Sequence, residues 1–196
     1  MPNPKPAIIY DHPADEALDW LIEGNTQYVN RRQSTIISDR RVLLKAIKDG
    51  QKPYAIVVCC SDSRIIPEAI FDANIGDLFV IRVAGNVIDN HQLGSIEYAA
   101  EHLGTGLVVV LGHNHCGAVD AALYHKTDGY IQYLIKDIEL AIGDEKDEFK
   151  ACCLNVQHSC RKIEESLQIQ KDEKEYGLKV VGAIYHMETG EVEFLD

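Results

Sequence analysis

Residues 54–64 read YAIVVCCSDSR. A short, continuous apolar run with Ile56, Val57 and Val58 at its centre stops at two adjacent cysteines, and Asp62 and Arg64 follow at once. A run this short and this evenly apolar predicts a β-strand covered on both faces. Three more stretches have the same character: LFVIRV (78–83), LVVVLG (107–112) and LKVVGAIYHM (178–187). Helical patterns lie between them, at about 91–103, 116–125, 130–142 and 147–169. Ahead of them, Leu18, Leu21, Ile22 and Tyr28 recur at helical spacing over 14–32, and a second short helix fits 40–49, closed by Gly50. Strand alternating with helix predicts an α/β fold, with a mostly parallel central sheet flanked by helices. The ending YHMETGEVEFL predicts a strand, a turn at Thr189-Gly190 and a short antiparallel edge strand. Residues 1–13 carry four prolines and read as an extended arm. The expectation is a single domain over 1–196, with 1–35 forming an N-terminal helical arm.

Composition narrows the function classes. Lys plus Arg is 19 and Asp plus Glu is 31, a formal net charge of −12. That balance disfavours nucleic acid and anionic membrane surfaces as partners. No apolar run approaches the length of a bilayer span. The first twenty residues lack a basic segment followed by an apolar stretch, so the expected location is cytoplasmic. The six cysteines are Cys59, Cys60, Cys116, Cys152, Cys153 and Cys160. Two adjacent pairs make a poor disulfide framework, so metal binding or simple burial is the better reading.

In a parallel sheet, ligands gather beyond the carboxyl ends of the strands. Cys60 ends the first predicted strand, and LGHNHCG places His113 and Cys116 just beyond the third. Two cysteines and one histidine are a donor set that zinc favours, and three protein ligands leave a fourth position open. Cys116 also opens a predicted helix, where exposed N–H groups favour the thiolate. Taken alone, the H-x-x-C pair is weak; a histidine at a strand end is usually an ordinary surface or core residue. Cys59 is the alternative to Cys60. Neighbours in a strand point to opposite faces, so both cannot easily serve one ion. Cys59 reads as a small buried hydrophobe, and His115 as an exposed or supporting residue.

The blocks CSDSR (60–64), RVAGNVID (82–89), GSIEYAAEHLG (94–104) and GHNHCGAV (112–119) resemble those of the β-class carbonic anhydrases. The likeness runs from about Trp20 to the C-terminus. It implies one Zn²⁺ per chain, held by Cys60, His113 and Cys116. It implies an Asp62–Arg64 dyad beside the metal, with Arg64 keeping Asp62 off the ion and Asp62 orienting the metal-bound water. The implied activity is reversible hydration of CO2 to bicarbonate and a proton, by attack of zinc-bound hydroxide. It further implies a substrate pocket of Gln51, Phe79, Ala84, Gly85 and Tyr98, with Ala84 where a valine stands in plant-type members. Phe79 and Tyr98 read equally well as core aromatics. Val57 occupies the place of a tryptophan that marks an inhibitory bicarbonate site in one subgroup, so an open zinc site without that inhibition is expected. The resemblance implies a homodimer or dimer of dimers, with the N-terminal helix packed on the partner.

Two rival readings stand beside this one. A hydrolase of carbonyl sulfide or carbon disulfide could use the same scaffold, although Ser63 after the aspartate favours CO2. A non-catalytic zinc or thiol protein could use Cys59-Cys60 or Cys152-Cys153, although redox pairs are usually spaced C-x-x-C and structural zinc sites usually carry four Cys or His ligands. Cys160 and His158 read as helix residues. For proton transfer to buffer, His115, His91 and nearby carboxylates are the candidates.

Overall fold

The computed structural model describes residues 10–31, 40–125 and 129–195. Helices α1 (Ala14–Arg31) and α2 (Arg40–Asp49) precede β1 (Ala55–Cys59). There follow α3 (Pro67–Ile70), β2 (Leu78–Arg82), α4 (Asn90–Leu103), β3 (Leu107–His113), α5 (Gly117–Leu123), α6 (Ile131–Ile142), α7 (Glu148–Glu164) and α8 (Leu167–Tyr176). Strands β4 (Lys179–Tyr185) and β5 (Val192–Phe194) close the chain. The sheet order is β2-β1-β3-β4-β5. All neighbours pair in parallel except β4 and β5, which are antiparallel. This is the mostly parallel α/β sheet with an antiparallel edge that the sequence predicts.

Alternation along the strands builds two cores. Ile56 and Val58 of β1 and Val108 and Val110 of β3 face α4 to α8. Ala55, Val57 and Cys59, with Leu107, Val109 and Leu111, face α1 and α3. β1 and β3 are fully buried along their length, which is why their sequences are apolar without a break. On the second face α1 lays Ala14, Ala17 and Leu21 against its own chain's sheet. Its buried Asn25 donates to the carbonyls of Ile70 and Gly190 and accepts from the Val192 N–H. One side chain thus joins α1, α3 and the β4–β5 turn. By contrast, α2 has no buried residue, and Val42, Leu43, Leu44 and Ile47 lie exposed along it.

The strand order places the site. After β1 the chain steps to one side to form β2, then crosses to the other side of β1 to form β3. The connections leave the carboxyl ends of β1 and β3 in opposite directions and open a crevice between them, the usual ligand position in open α/β sheets. Cys60 follows β1 directly, and His113 is the last residue of β3.

Three details differ from the periodicity. The helical pattern over 147–169 is two helices, α7 and α8, because Ser166 interrupts it. The Ser166 hydroxyl accepts from the Ile169 N–H, a local bond that serves a helix start better than a helix interior. Helix α8 continues to Tyr176 and ends at Gly177 in the left-handed region, φ 75°. The four-residue α3 is too short to show periodicity. Residues 1–9 of the expected arm lie outside the described residues; beyond them, His12 bridges to Thr105.

Gly24 sets how closely α1 can approach. A Cβ there would sit 1.9 Å from the Phe71 backbone carbonyl oxygen. Alanine would improve helix propensity by about 1 kcal/mol. The backbone obstacle opposes that gain, and overpacking of a fixed contact costs about 1–3 kcal/mol. Gly24→Ala is therefore predicted to lower the denaturant midpoint; a midpoint at or above the parent's would contradict this packing.

Candidate metal centre

The thiols of Cys60 and Cys116 and the ring of His113 converge so that one donor atom of each lies within 4.8 Å of the others. Among the described residues no other three His, Cys, Asp or Glu side chains are so gathered and able to hold an ion. All three are buried. His113 Nδ1 lies 2.8 Å from the Asn114 carbonyl oxygen. A carbonyl only accepts, so Nδ1 carries the proton and Nε2 presents its lone pair. That Nε2 is buried and has no hydrogen-bond partner among the described residues. A buried imidazole nitrogen left without a donor beside two thiols is what a soft or borderline cation would satisfy.

The sulfurs are unequal. Cys60 is pulled down to about 4, first by the hydrogen bond from the Cys116 thiol and further by the N–H groups of Gly85 and Asp62. Those two amides stand 3.3 Å and 3.4 Å from its sulfur. Cys116 is driven upward by that same bond to Cys60 and by burial. The N–H groups of Ala118 and Val119, in the first turn of α5, act in the opposite sense. The bond between the sulfurs thus favours one thiolate and opposes a second, a conflict that a cation between them would relieve. Cys59 behaves differently. It lies on the other face of the sheet, and burial pushes its thiol up to about 12.

Asp62 and Arg64 form a fork beside the trio. Arg64 Nε donates to Asp62 Oδ1 at 2.9 Å and Nη2 to Oδ2 at 2.7 Å. The Arg64 backbone N–H adds a second bond to Oδ1 at 2.9 Å. These bonds hold Asp62 well below the usual carboxylate range. The Asp62 side chain is only 16 % exposed, while that of Arg64 is 56 % exposed. Arg64 Nη2 also donates to the His115 carbonyl at 3.2 Å, tying the β1 loop to the β3 loop. The loop after β3 is fixed from a distant part of the chain. Glu188 accepts from Asn114 Nδ2 at 2.6 Å and lies 2.7 Å from His115 Nε2. Asn114 Oδ1 accepts from the Met187 N–H. A second carboxylate, Glu148, lies 3.2 Å from His115 Nδ1, and the two carboxylates, Glu188 first, raise the His115 imidazole. A cavity of about 280 Å³, lined by Arg64, His115, Tyr185, Met187 and Glu188, opens here.

The expected pocket residues divide into two groups. Ala84 and Gly85 lie in the turn after β2, with Gly85 directly on Cys60. Phe79 pairs with Ile56, four residues down β1 from Cys60, or about 13 Å. Its ring centroid is 6.3 Å from that of Tyr98, which is 45 % exposed. Gln51 lines a separate groove beneath α2, with Val42, Lys45 and Ile75. Within one chain these three do not meet the Cys60 trio. His91 sits at the start of α4, beside Asp89. Sequence reasoning missed Arg82, whose Nη2 donates to the Asp62 carbonyl at 2.7 Å, and Glu188. Nothing in a sequence links Glu188 to a loop 73 residues away.

The family described as Carbonic anhydrase matches residues 55–192. "Carbonic anhydrase 2" of Mycobacterium tuberculosis is 48% identical over 131 residues, which span 66% of this chain and 58% of that one. The carbonic anhydrase of Mycolicibacterium smegmatis is 36% identical, over 98% of this chain and 95% of its own length. Among solved structures, one of two tetrameric β-carbonic anhydrases from Sordaria macrospora superposes with a TM-score of 0.70. It is 26% identical and covers 91% of this chain and 96% of its own. By sequence, sheet order and the Cys60–His113–Cys116 cluster, the chain belongs to the β-class carbonic anhydrase family.

Proposed function

We propose that the chain is a zinc-dependent carbonic anhydrase, catalysing reversible hydration of CO2 to bicarbonate and a proton. The observation that carries this reading is the buried Cys60–His113–Cys116 cluster with its unpartnered His113 Nε2, in a chain of this family. Cys60, His113 and Cys116 would hold one Zn²⁺. The ion, when bound, supplies Lewis-acid chemistry, acidifying a water molecule in the fourth position so that it can attack CO2 near neutral pH.

The remaining steps belong to the protein. Asp62 Oδ1 already accepts two bonds, from the Arg64 N–H and Nε, whereas Oδ2 accepts one. Oδ2 therefore has a lone pair to accept a hydrogen bond from the reacting water and fix its orientation. Arg64 holds Asp62 far below neutrality, so Asp62 stays ionised and acts as an acceptor. A general base would need affinity for the proton near the working pH. Arg64 does the orienting of Asp62, and the Gly85 and Asp62 N–H groups temper the charge on the Cys60 sulfur. With Asp62 forked to Arg64, the fourth position stays open to water, which is the resting arrangement we propose.

We assign Ala84 and Gly85 to the inner wall of the CO2 pocket. Gln51, Phe79 and Tyr98 belong to it in an assembly of two chains, in which a second copy presents them. The exposed apolar stripe of α2 beside the Gln51 groove supports a homodimer, as does the tetrameric state of the Sordaria relatives.

Stopped-flow CO2 hydration by zinc-loaded protein tests this reading. The rate is predicted to rise with pH between about 6.5 and 9, because the attacking water must first lose a proton. A zinc-loaded protein silent over that range would refute the CO2 reading, and carbonyl sulfide would be the next substrate to assay. Removing zinc with a chelator should abolish turnover, and adding one equivalent back should restore it. Asp62→Asn should retain zinc yet lose about 10–100-fold in turnover; parental turnover would remove Asp62 from the mechanism.

A further inference from the structure

Helix α7 carries a polar stripe that the reaction as described does not use. Cys152, Asn155 and Ser159 share one face of the helix and are 1–2 % exposed, inside an otherwise apolar core. Each faces a backbone group of the metal centre. Asn155 Nδ2 donates to the Gly85 carbonyl at 2.7 Å. Ser159 Oγ donates to the Asn86 carbonyl at 2.9 Å. The Cys116 N–H faces the Cys152 sulfur.

The turn that Asn155 and Ser159 hold is left-handed. Gly85 and Asn86 are consecutive residues with positive φ, 69° and 46°. Gly and Asn are the residues that adopt this region most readily, and the bonds from α7 select it here. Space is tight as well: a Cβ on Gly85 would lie 2.7 Å from Ile138 Cδ1. This conformation aims the Gly85 N–H at the Cys60 sulfur. The same residue thus donates to the metal-centre sulfur through its N–H and accepts from α7 through its carbonyl.

We propose that Asn155 is a positioning residue for the metal centre. It holds the left-handed Gly85–Asn86 turn so that the Gly85 N–H stays on the Cys60 thiolate. The inference rests on the zinc reading of the Cys60–His113–Cys116 site. A hydrogen bond to a thiolate draws charge from the sulfur and leaves it a weaker donor to the ion. Losing Asn155 frees the Gly85 carbonyl, loosens the turn and weakens that N–H···S bond. Sulfur charge then rises, which alone would strengthen its bond to the ion; the loosened turn also leaves the Cys60 sulfur misplaced relative to His113 and Cys116, and that loss of placement outweighs the electronic gain in affinity.

The test compares the parent with Asn155→Leu, which keeps bulk and removes the donor, and Asn155→Ala, which removes both. Cys160→Ala is the control: it truncates a buried thiol on the same helix that packs toward Gly182. Two quantities are read on each folded protein, zinc loss to a chromophoric chelator and the thiolate-to-metal charge-transfer band of the cobalt-substituted form. Both Asn155 variants are expected to lose zinc about 10–100-fold more readily and to move the band to lower energy. Cys160→Ala should match the parent in both. Parental zinc retention and an unmoved band in a folded Asn155 variant would overturn the proposal. A shift of equal size in Cys160→Ala would overturn it too, by showing a general loss of helix packing. A parent that binds no zinc would instead sink the zinc reading beneath it.

Discussion

Two sulfurs buried side by side cannot both be anionic without a compensating cation. In this chain Cys60 and Cys116 meet at one end of the sheet, where their hydrogen bond favours the Cys60 thiolate and disfavours a second charge on Cys116. The rest of the site follows from this constraint. His113 adds an Nε2 that has no hydrogen-bond partner among the described residues. Backbone N–H groups of Asp62 and Gly85 stand against the more charged sulfur. Burial excludes water that could otherwise solvate the charge. One divalent cation would satisfy these three soft or borderline donors.

The fold brings the donors together through strand order. Cys60 and Cys116 are far apart in the chain, but β1 and β3 are neighbours, and the crossover from β2 passes β1 to reach β3. Strand ends fix only the ligands themselves. Their surroundings come from three other places: Arg64 and Arg82 from the β1–β2 region, Glu188 from the β4–β5 turn and Asn155 from α7. Arg64 is mostly in water, and its tie to Asp62 gains from fork geometry more than from burial.

Much of this was legible in the sequence, for identifiable reasons. β1 and β3 are buried on both faces, so nothing interrupts their apolar runs. Cys60, His113 and Cys116 stand just past strand ends, where parallel sheets place ligands. Asp62 and Arg64 are two residues apart, so their pairing is local. Three things were hidden. The break between α7 and α8 depends on one hydroxyl, that of Ser166, within an otherwise helical pattern. Asn155 and Ser159 read as ordinary polar helix residues because their partners are backbone carbonyls more than sixty residues away. Gln51, Phe79 and Tyr98 are assigned to the pocket by resemblance, and periodicity does not say where they stand relative to Cys60.

The most direct test of the account is X-ray absorption at the zinc edge on stoichiometrically loaded protein. Two sulfurs at about 2.3 Å, one imidazole nitrogen at about 2.0–2.1 Å and one further light atom are predicted, with one zinc per chain. A shell without sulfur, or one closed by a third sulfur or a second imidazole, would contradict a three-ligand centre open to water at the β1–β3 crevice.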